Sequence, residues 1–540
     1  MCEHAGIHEG RMTSTGAERR SGVTVPLFSL RTQGDWGIGQ ITAMPASARF
    51  FRDAGQTLLQ ILPAHELAGG ETSPYGACSA FALDPIYIDV DAVPDLDAQA
   101  IAAALGDVGR AQLEDVRRAA SVRYADVRAL KHRALRSAFD RFRERELAAG
   151  TERASAFRAF VAAEQAWLRD AALYCALRSS HDGWGWRTWP TPERDRAPEV
   201  LAIAHDPVDD GGLGTRVLHF MYLQWIALGQ WADARAGIAE AGCELMGDLP
   251  FIVGEESADV WAHREAFRTD IELGAPPDAF SPDGQRWGLP VYDWDVMDRD
   301  GLAWLCARAS HAARLYDRSR IDHVVGFFRQ WVRKGDAPGS FVPETEAEQR
   351  ARGRKVLAAM MQAAGRTPSG ESRLIAEDLG VIPPFVRETM RELGLPGYKV
   401  LPWEKDDDSR SRDPRAFAPL SVATWSTHDT APITSWWDEL EPWEREQLGK
   451  LAGLGDGVTG RERDLALLGL LFASGSSLTL VLAQELLGDG ARINTPGTVS
   501  DVNWTWRLPR SLEELASDAD VRSRFGAVRE LATRSGRLRV

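Results

Sequence analysis

The feature that most constrains this chain is a short apolar run ending in a carboxylate, repeated along its second half. The runs are 243–248 (C-E-L-M-G-D), a weaker one from 315 to 322, 373–378 (R-L-I-A-E-D), 421–429 (S-V-A-T-W-S-T-H-D) and 478–485 (L-T-L-V-L-A-Q-E). Their acids, Asp248, Asp322, Glu377, Asp429 and Glu485, stand 52 to 74 residues apart. Each interval has room for a loop, a helix and the next strand. A parallel strand covered by helices on both faces reads as a continuous apolar run, and enzyme barrels carry their chemistry at the C-terminal ends of such strands. Two earlier runs, 58–62 (L-L-Q-I-L) and 86–90 (I-Y-I-D-V), add candidate strands. The pattern predicts an α/β chain folded as a (β/α)8 TIM barrel with helical insertions. The alternative is an open doubly wound sheet, and no glycine-rich fingerprint follows an early strand to support it.

Residues 1–22 read as a flexible tail, because they contain no apolar stretch of the kind a signal peptide needs. Residues 23–540 then form one catalytic barrel, interrupted at about 91–200 by a mainly helical insertion. That segment is rich in Ala, Arg, Glu and Leu, and 121–142 has helical periodicity. Residues 465–483 carry no charge, which touches the threshold for a membrane-spanning helix. Gly475-Ser476-Ser477 splits the stretch, so a helix over about 464–473 and a buried strand over 478–483 are expected instead.

Acids outnumber bases, 78 to 63, for a net charge of −15. That balance opposes nucleic acid and anionic membranes and suits a neutral partner. Nineteen tryptophans offer indole planes on which sugar rings stack, with Trp287, Trp294, Trp331 and Trp403 as candidate platforms. The five cysteines are odd in number and lack any CxxC, which argues against a disulfide framework or structural zinc and suits a reducing cytoplasm. Without HxH, HExxH or EF-hand spacing, neither a metal nor another cofactor is expected.

Cleaving a glycosidic bond takes a proton donor at the leaving oxygen and a carboxylate facing the anomeric carbon. Asp322, with Arg320 and His323 beside it, is the candidate for the charged role. Glu377 follows an apolar run whose burial would keep it protonated. Asp429, after His428, could hold sugar hydroxyls. Any one of these acids alone could equally cap a helix or pair with a barrel arginine.

Several segments resemble, together and in order from about 27 to 507, the 4-alpha-glucanotransferases (amylomaltases) of glycoside hydrolase family 77, a branch of the alpha-amylase clan. They are S-P-Y-G at 73–76, G-D-L-P at 247–250, S-A-D-V-W at 257–261, G-Q-R-W-G at 284–288, R-I-D-H at 320–323, E-D-L-G at 377–380, T-H-D at 427–429 and N-T-P-G-T at 494–498. The resemblance implies a barrel without a separate C-terminal β-sandwich. It also implies a cytoplasmic enzyme that moves α-1,4-glucan segments between malto-oligosaccharide donors and acceptors. Asp322 would be the nucleophile, Glu377 the general acid/base and Asp429 the transition-state stabiliser. Arg320 and His428 would donate hydrogen bonds to the reacting groups, Asp248 would position Arg320, Tyr75 would stack on the −1 sugar, and 276–288 would form a lid. The sequence departs from the family at Thr430, where Asn is usual, at Asp84 before Pro85, at Ala279 in the lid, and at Trp504-Thr505-Trp506-Arg507. An α-glucan hydrolase on the same site and a non-catalytic glycan-binding protein are the alternatives. Monomer and homodimer both stay open.

Overall fold

The computed structural model describes residues 18–277, 284–335, 337–406, 410–455 and 457–538, and in it eight parallel strands close into a barrel. Numbered in chain order they are β1 (Arg20–Thr24), β2 (Leu58–Gln60), β3 (Glu244–Leu249), β4 (Arg318–Ile321), β5 (Leu374–Ala376), β6 (Gly397–Val400), β7 (Ser421–Thr424) and β8 (Leu478–Leu482). Each lies beside its neighbour in sequence, and β8 closes on β1 with Arg20 opposite Leu478 and Thr24 opposite Leu482. Helices cover the outside, among them Met44–Arg52, Leu213–Glu240, Ala303–Leu315, Glu346–Ala364, Pro384–Leu393, Gly460–Phe472 and Ala519–Arg534. Among the described residues the crossover from β6 to β7 holds two 3₁₀ turns in place of a helix.

The barrel interior is layered. At the N-terminal end Arg20 and Arg318 pair with Glu244 at 2.9 and 2.8 Å, and Arg318 reaches Glu371 at 2.5 Å. The middle is an apolar plug of Leu58, Met246, Ile375, Tyr398, Val422, Leu478 and Leu480. Above it the lining turns polar. Thr24 donates to Gln60 at 2.5 Å, and Gln60 donates to the Tyr398 hydroxyl at 3.3 Å. Gly247 is required where it stands, because a Cβ there would lie 2.4 Å from the Tyr316 ring.

Sequence and structure part company at particular places. Residues 86–90 are not a strand but two 3₁₀ turns, Pro85–Tyr87 and Val90–Ala92. Pro85 fixes φ, and the Asp84 and Asp89 carboxylates accept from the N–H groups of Ile86 and Asp91, so local capping wins over apolar content. β1 begins at Arg20 and takes three residues of the stretch read as tail, while residues 1–17 lie outside those described. The β2–β3 crossover carries the helices Ala98–Arg118, Tyr124–Phe142, Glu152–Ala163, Gln165–Ser180 and Pro198–His205. Asp84 ties this region down: its buried carboxylate receives two bonds from Arg128, at 2.9 and 2.6 Å. Loss of Arg128 would strand a buried charge at a cost of about 3–5 kcal/mol. Arg507 does the same from the other end of the chain, holding Asp35 at 2.8 and 2.9 Å and donating to the Val116 and Ala119 carbonyls.

A four-stranded antiparallel sheet flanks the barrel mouth, in the order Gln285–Tyr292, Phe267–Ala275, Gln330–Arg333, Ser340–Val342. The lid segment falls in its first hairpin. Residues 278–283, including Ala279, lie outside those described, and the segment's end runs into the strand Gln285–Tyr292. The uncharged stretch 465–483 resolves into helix Gly460–Phe472 and β8. Among the described residues no helix is long and apolar enough to cross a membrane.

Candidate active site

Three neighbouring strands bring three acids to one cation. The β3–β4 register sets Asp248 opposite Arg320; Asp322 follows β4 and Glu377 follows β5. The buried Arg320 guanidinium lies 2.7 Å from Asp248, 2.9 Å from Asp322 and 3.8 Å from Glu377. Carboxylates this close repel one another, and the shared guanidinium offsets that repulsion. It also holds Asp322 and Glu377 within reach of one sugar ring.

Glu377 accepts from the backbone N–H groups of His323 and Leu379, both at 2.8 Å. His323 has a left-handed backbone, φ 44°, in the turn after β4. A non-glycine residue there stores about 1–3 kcal/mol of strain, and this turn aims the His323 N–H at Glu377. Burial is the largest influence on the Glu377 carboxyl and pushes it up to about 7; Arg320 opposes the rise, and the Asp322 charge adds to it. Glu377 therefore exchanges its proton near neutrality.

Asp429 follows β7 in the turn S-T-H-D. Thr430 closes that turn: its hydroxyl accepts from the Thr427 N–H at 2.9 Å and donates to the Thr427 carbonyl at 3.3 Å. Asn494 donates to the Asp429 carboxylate at 2.7 Å, and His428 lies 3.3 Å from its other oxygen. Burial raises the Asp429 carboxyl, but His428, Asn494 and Arg320 together hold it well below the usual carboxylate range. For His428 burial works against the charged ring, yet Asp429 raises its pKa on balance. Glu377 and Asp429 are thus driven apart, one poised to hold a proton and the other ionised, the arrangement that divides acid and base duties between carboxyls.

Tyr75 knits the two halves together. Its hydroxyl donates to Asp248 at 2.7 Å and lies 3.1 Å from His428 Nε2, and its ring stacks on the imidazole at 5.5 Å. Tyr75, Trp287, Arg320, Asp322, Glu377, His428 and Asp429 all line one cavity of about 370 Å³. Asp248 lies beneath it, wholly buried behind Arg320. Trp287 meets His323 edge-on at 5.0 Å, and Trp403, 52% exposed, also stands on the cavity wall. Trp294 is no platform: it is buried, with its indole N–H donated to Gln330 at 2.9 Å. Trp331 packs on Phe341 in the flanking sheet, away from the cavity lining. The fifth strand-end acid, Glu485, is fully buried and accepts from the Leu482 and Ile433 N–H groups, so it is a cap.

Sequence reasoning gave no role to Asn494, to Trp504 or to the N–H groups of His323 and Leu379. Trp504 backs the site, 5.8 Å from both Tyr75 and His428. The segments R-I-N-T-P-G-T and W-T-W-R carried the signal, but no role could be read until the C-terminal loop was placed over β7. Among the described residues no group of three or more His, Cys, Asp or Glu side chains is placed to hold a metal ion.

Known proteins match along nearly the whole chain. The family model for glycoside hydrolase 77, described as 4-alpha-glucanotransferase, covers residues 25–513. The 4-alpha-glucanotransferase of Thermus thermophilus is 35% identical over 497 residues, 88% of this chain and 92% of its own. That of Chlamydia pneumoniae is 31% identical over 517 residues, 93% of each. The amylomaltase from Streptococcus agalactiae, solved in complex with acarbose, superposes with a TM-score of 0.79 at 26% identity, covering 97% of this chain and 100% of that one. By sequence and fold alike, the chain belongs to the 4-alpha-glucanotransferase family.

Proposed function

We propose that this enzyme moves α-1,4-glucan segments between malto-oligosaccharides by a retaining double displacement. Asp322 attacks the anomeric carbon while Glu377 protonates the departing glycosidic oxygen. Glu377, now ionised, then takes the proton of the incoming 4-hydroxyl as the acceptor displaces Asp322. Asp429 and His428 bind the hydroxyls of the ring under attack, and the Asp429 carboxylate stabilises its developing positive charge. Arg320, held by Asp248, keeps the nucleophile oriented. Tyr75 and Trp287 supply faces for the sugar rings. We place the enzyme in the cytoplasm, a setting that suits its free thiols. One observation carries the reading: a carboxyl poised near pH 7 and a carboxylate share one buried guanidinium at the mouth of a barrel.

Maltotriose as sole substrate tests it. Transfer yields glucose and a ladder of longer malto-oligosaccharides; products limited to glucose and maltose would mean that water is the acceptor and overturn the reading. Proton NMR of the first products should show α-anomers, and β-anomers would refute the double displacement.

A further inference from the structure

The turn that carries His428 and Asp429 is stitched to the segment that follows β8. At one end Asn494 donates its side-chain amide to the Asp429 carboxylate at 2.7 Å and its backbone N–H to the His428 carbonyl at 3.1 Å. Arg492 donates to the Asp429 carbonyl at 3.1 Å. At the other end stands Glu485, three residues past the end of β8. One oxygen of its carboxyl accepts from the Leu482 N–H at 2.9 Å. The other accepts at 3.1 Å from the N–H of Ile433, the first residue of the helix Ile433–Glu439 that leaves the turn. Between the two ends the Ser435 hydroxyl donates to the Gly490 carbonyl at 3.2 Å.

These contacts differ in what can replace them. The Arg492 and Ser435 bonds are exposed, so water stands in when either is lost. Glu485 is 0% exposed and both of its bonds are buried, so an N–H that loses this acceptor stays unpaired. Its footing is rigid too. β8 is paired on both sides, Leu482 with Thr24 and Leu480 with Thr424, and Arg524 donates to the Glu485 carbonyl at 2.9 Å. The turn is closed on itself by the bond between Thr430 and Thr427 and by that of the Ser426 hydroxyl to the Ala431 carbonyl at 2.9 Å. It therefore moves as one piece, and Ile433 is where the buried anchor grips it.

We propose, on the reading of Asp429 as the group that stabilises the ring under attack, that Glu485 is a positioning residue for transfer. By tying the Ile433 N–H to the end of β8, its carboxyl sets where the Asp429 carboxylate stands against the Asn494 amide. Glu485 lines no part of the cavity that holds Asp322 and Glu377, so it acts on the reaction only through the turn. Two consequences separate this role from a contribution to folding alone. Charge develops on the ring whatever the leaving group, so a displaced Asp429 slows every donor by the same factor. The effect also passes through the Asp429–Asn494 contact, so it fades once that contact is gone.

A double-mutant cycle on the full chain tests it, with kcat measured for maltotriose transfer and for fluoride release from α-glucosyl fluoride. Glu485→Gln keeps the size of the side chain but turns one accepting oxygen into an amide that cannot accept. It should lower kcat about tenfold, and by the same factor for both donors. In the Asn494→Ala background the same substitution should cost less than about twofold. Melting curves establish that the variants fold. Glu485→Asp, which keeps both oxygens on an arm one methylene shorter, carries the cycle with a smaller loss if the amide variant does not. An unchanged kcat, a loss confined to maltotriose, or losses that multiply in the double variant would overturn the role of Glu485. Full activity in Asn494→Ala alone would overturn the reading of Asp429 and this role with it.

Discussion

Raising the pH through neutrality should slow the enzyme more on natural glucans than on a donor whose leaving group needs no proton. The cause is Glu377, whose burial places its carboxyl at about 7. On that value about nine-tenths of the group is protonated at pH 6, about a tenth at pH 8 and about a hundredth at pH 9. The kcat/KM for maltotriose, which requires the acid form, should therefore fall about tenfold from pH 6 to pH 8 and about a further tenfold by pH 9. Other groups facing Glu377 do not imitate this limb. Arg320 is held cationic far above the range, and burial lowers the His323 pKa, which moves its titration away from the basic limb. His428 does titrate with a raised pKa beside Asp429, but its loss of charge would affect every donor alike. The decisive comparison is α-glucosyl fluoride, followed by fluoride release. Fluoride departs without general-acid help, so dividing the maltotriose kcat/KM by that for the fluoride cancels the His428 contribution, and the ratio should keep the fall set by Glu377. Glu377→Gln should abolish transfer from maltotriose yet still release fluoride, leaving a glucosyl adduct on Asp322 visible as a mass increase. A basic limb shared equally by both donors would refute the acid role of Glu377, and a maltotriose limb near the ordinary glutamate range would refute the effect of burial.

Three further outcomes follow from the same geometry. Asp322→Asn removes the charge of the proposed nucleophile and should lower turnover by about four or more powers of ten with the melting temperature preserved; retention of about a tenth of the activity would sink the assignment. Asn494→Ala deletes the 2.7 Å bond to Asp429, so kcat should fall about tenfold with KM little changed. Because that bond helps depress the Asp429 pKa, its loss should also move the acidic limb of the pH profile upward, and an unmoved limb would show that Asn494 does not position the carboxylate. Exhaustive dialysis against EDTA should leave activity and melting temperature unchanged, and a loss restored by Ca²⁺ or Zn²⁺ would reveal a metal site.

The strand-end acids were legible in the sequence because a strand covered on both faces must be apolar, and a carboxylate closing such a run stands out against it. Asp248, Asp322, Glu377 and Asp429 could be named on that ground, and so could Glu485, whose different fate as a cap depends on where the neighbouring N–H groups lie. β1 (R-S-G-V-T) and β6 (G-Y-K-V) escaped notice because neither is a continuous apolar run nor ends in an acid. They are strands because the barrel needs them between their neighbours. Residues 86–90 looked like a strand by composition and are turns by capping. Sequence alone thus determined the class of fold and singled out the acids that the barrel brings to its mouth, both of which rest on local pattern. Only the tertiary structure decided the rest. Tyr75 reaches His428 because closure of the barrel brings distant segments onto one rim, and Arg320 reaches Asp248 because the β3–β4 register sets them side by side. The proton affinity of Glu377 is likewise a property of the assembled site, since desolvation and the field of a neighbouring charge depend on what surrounds a group in space and not on what precedes it in the chain.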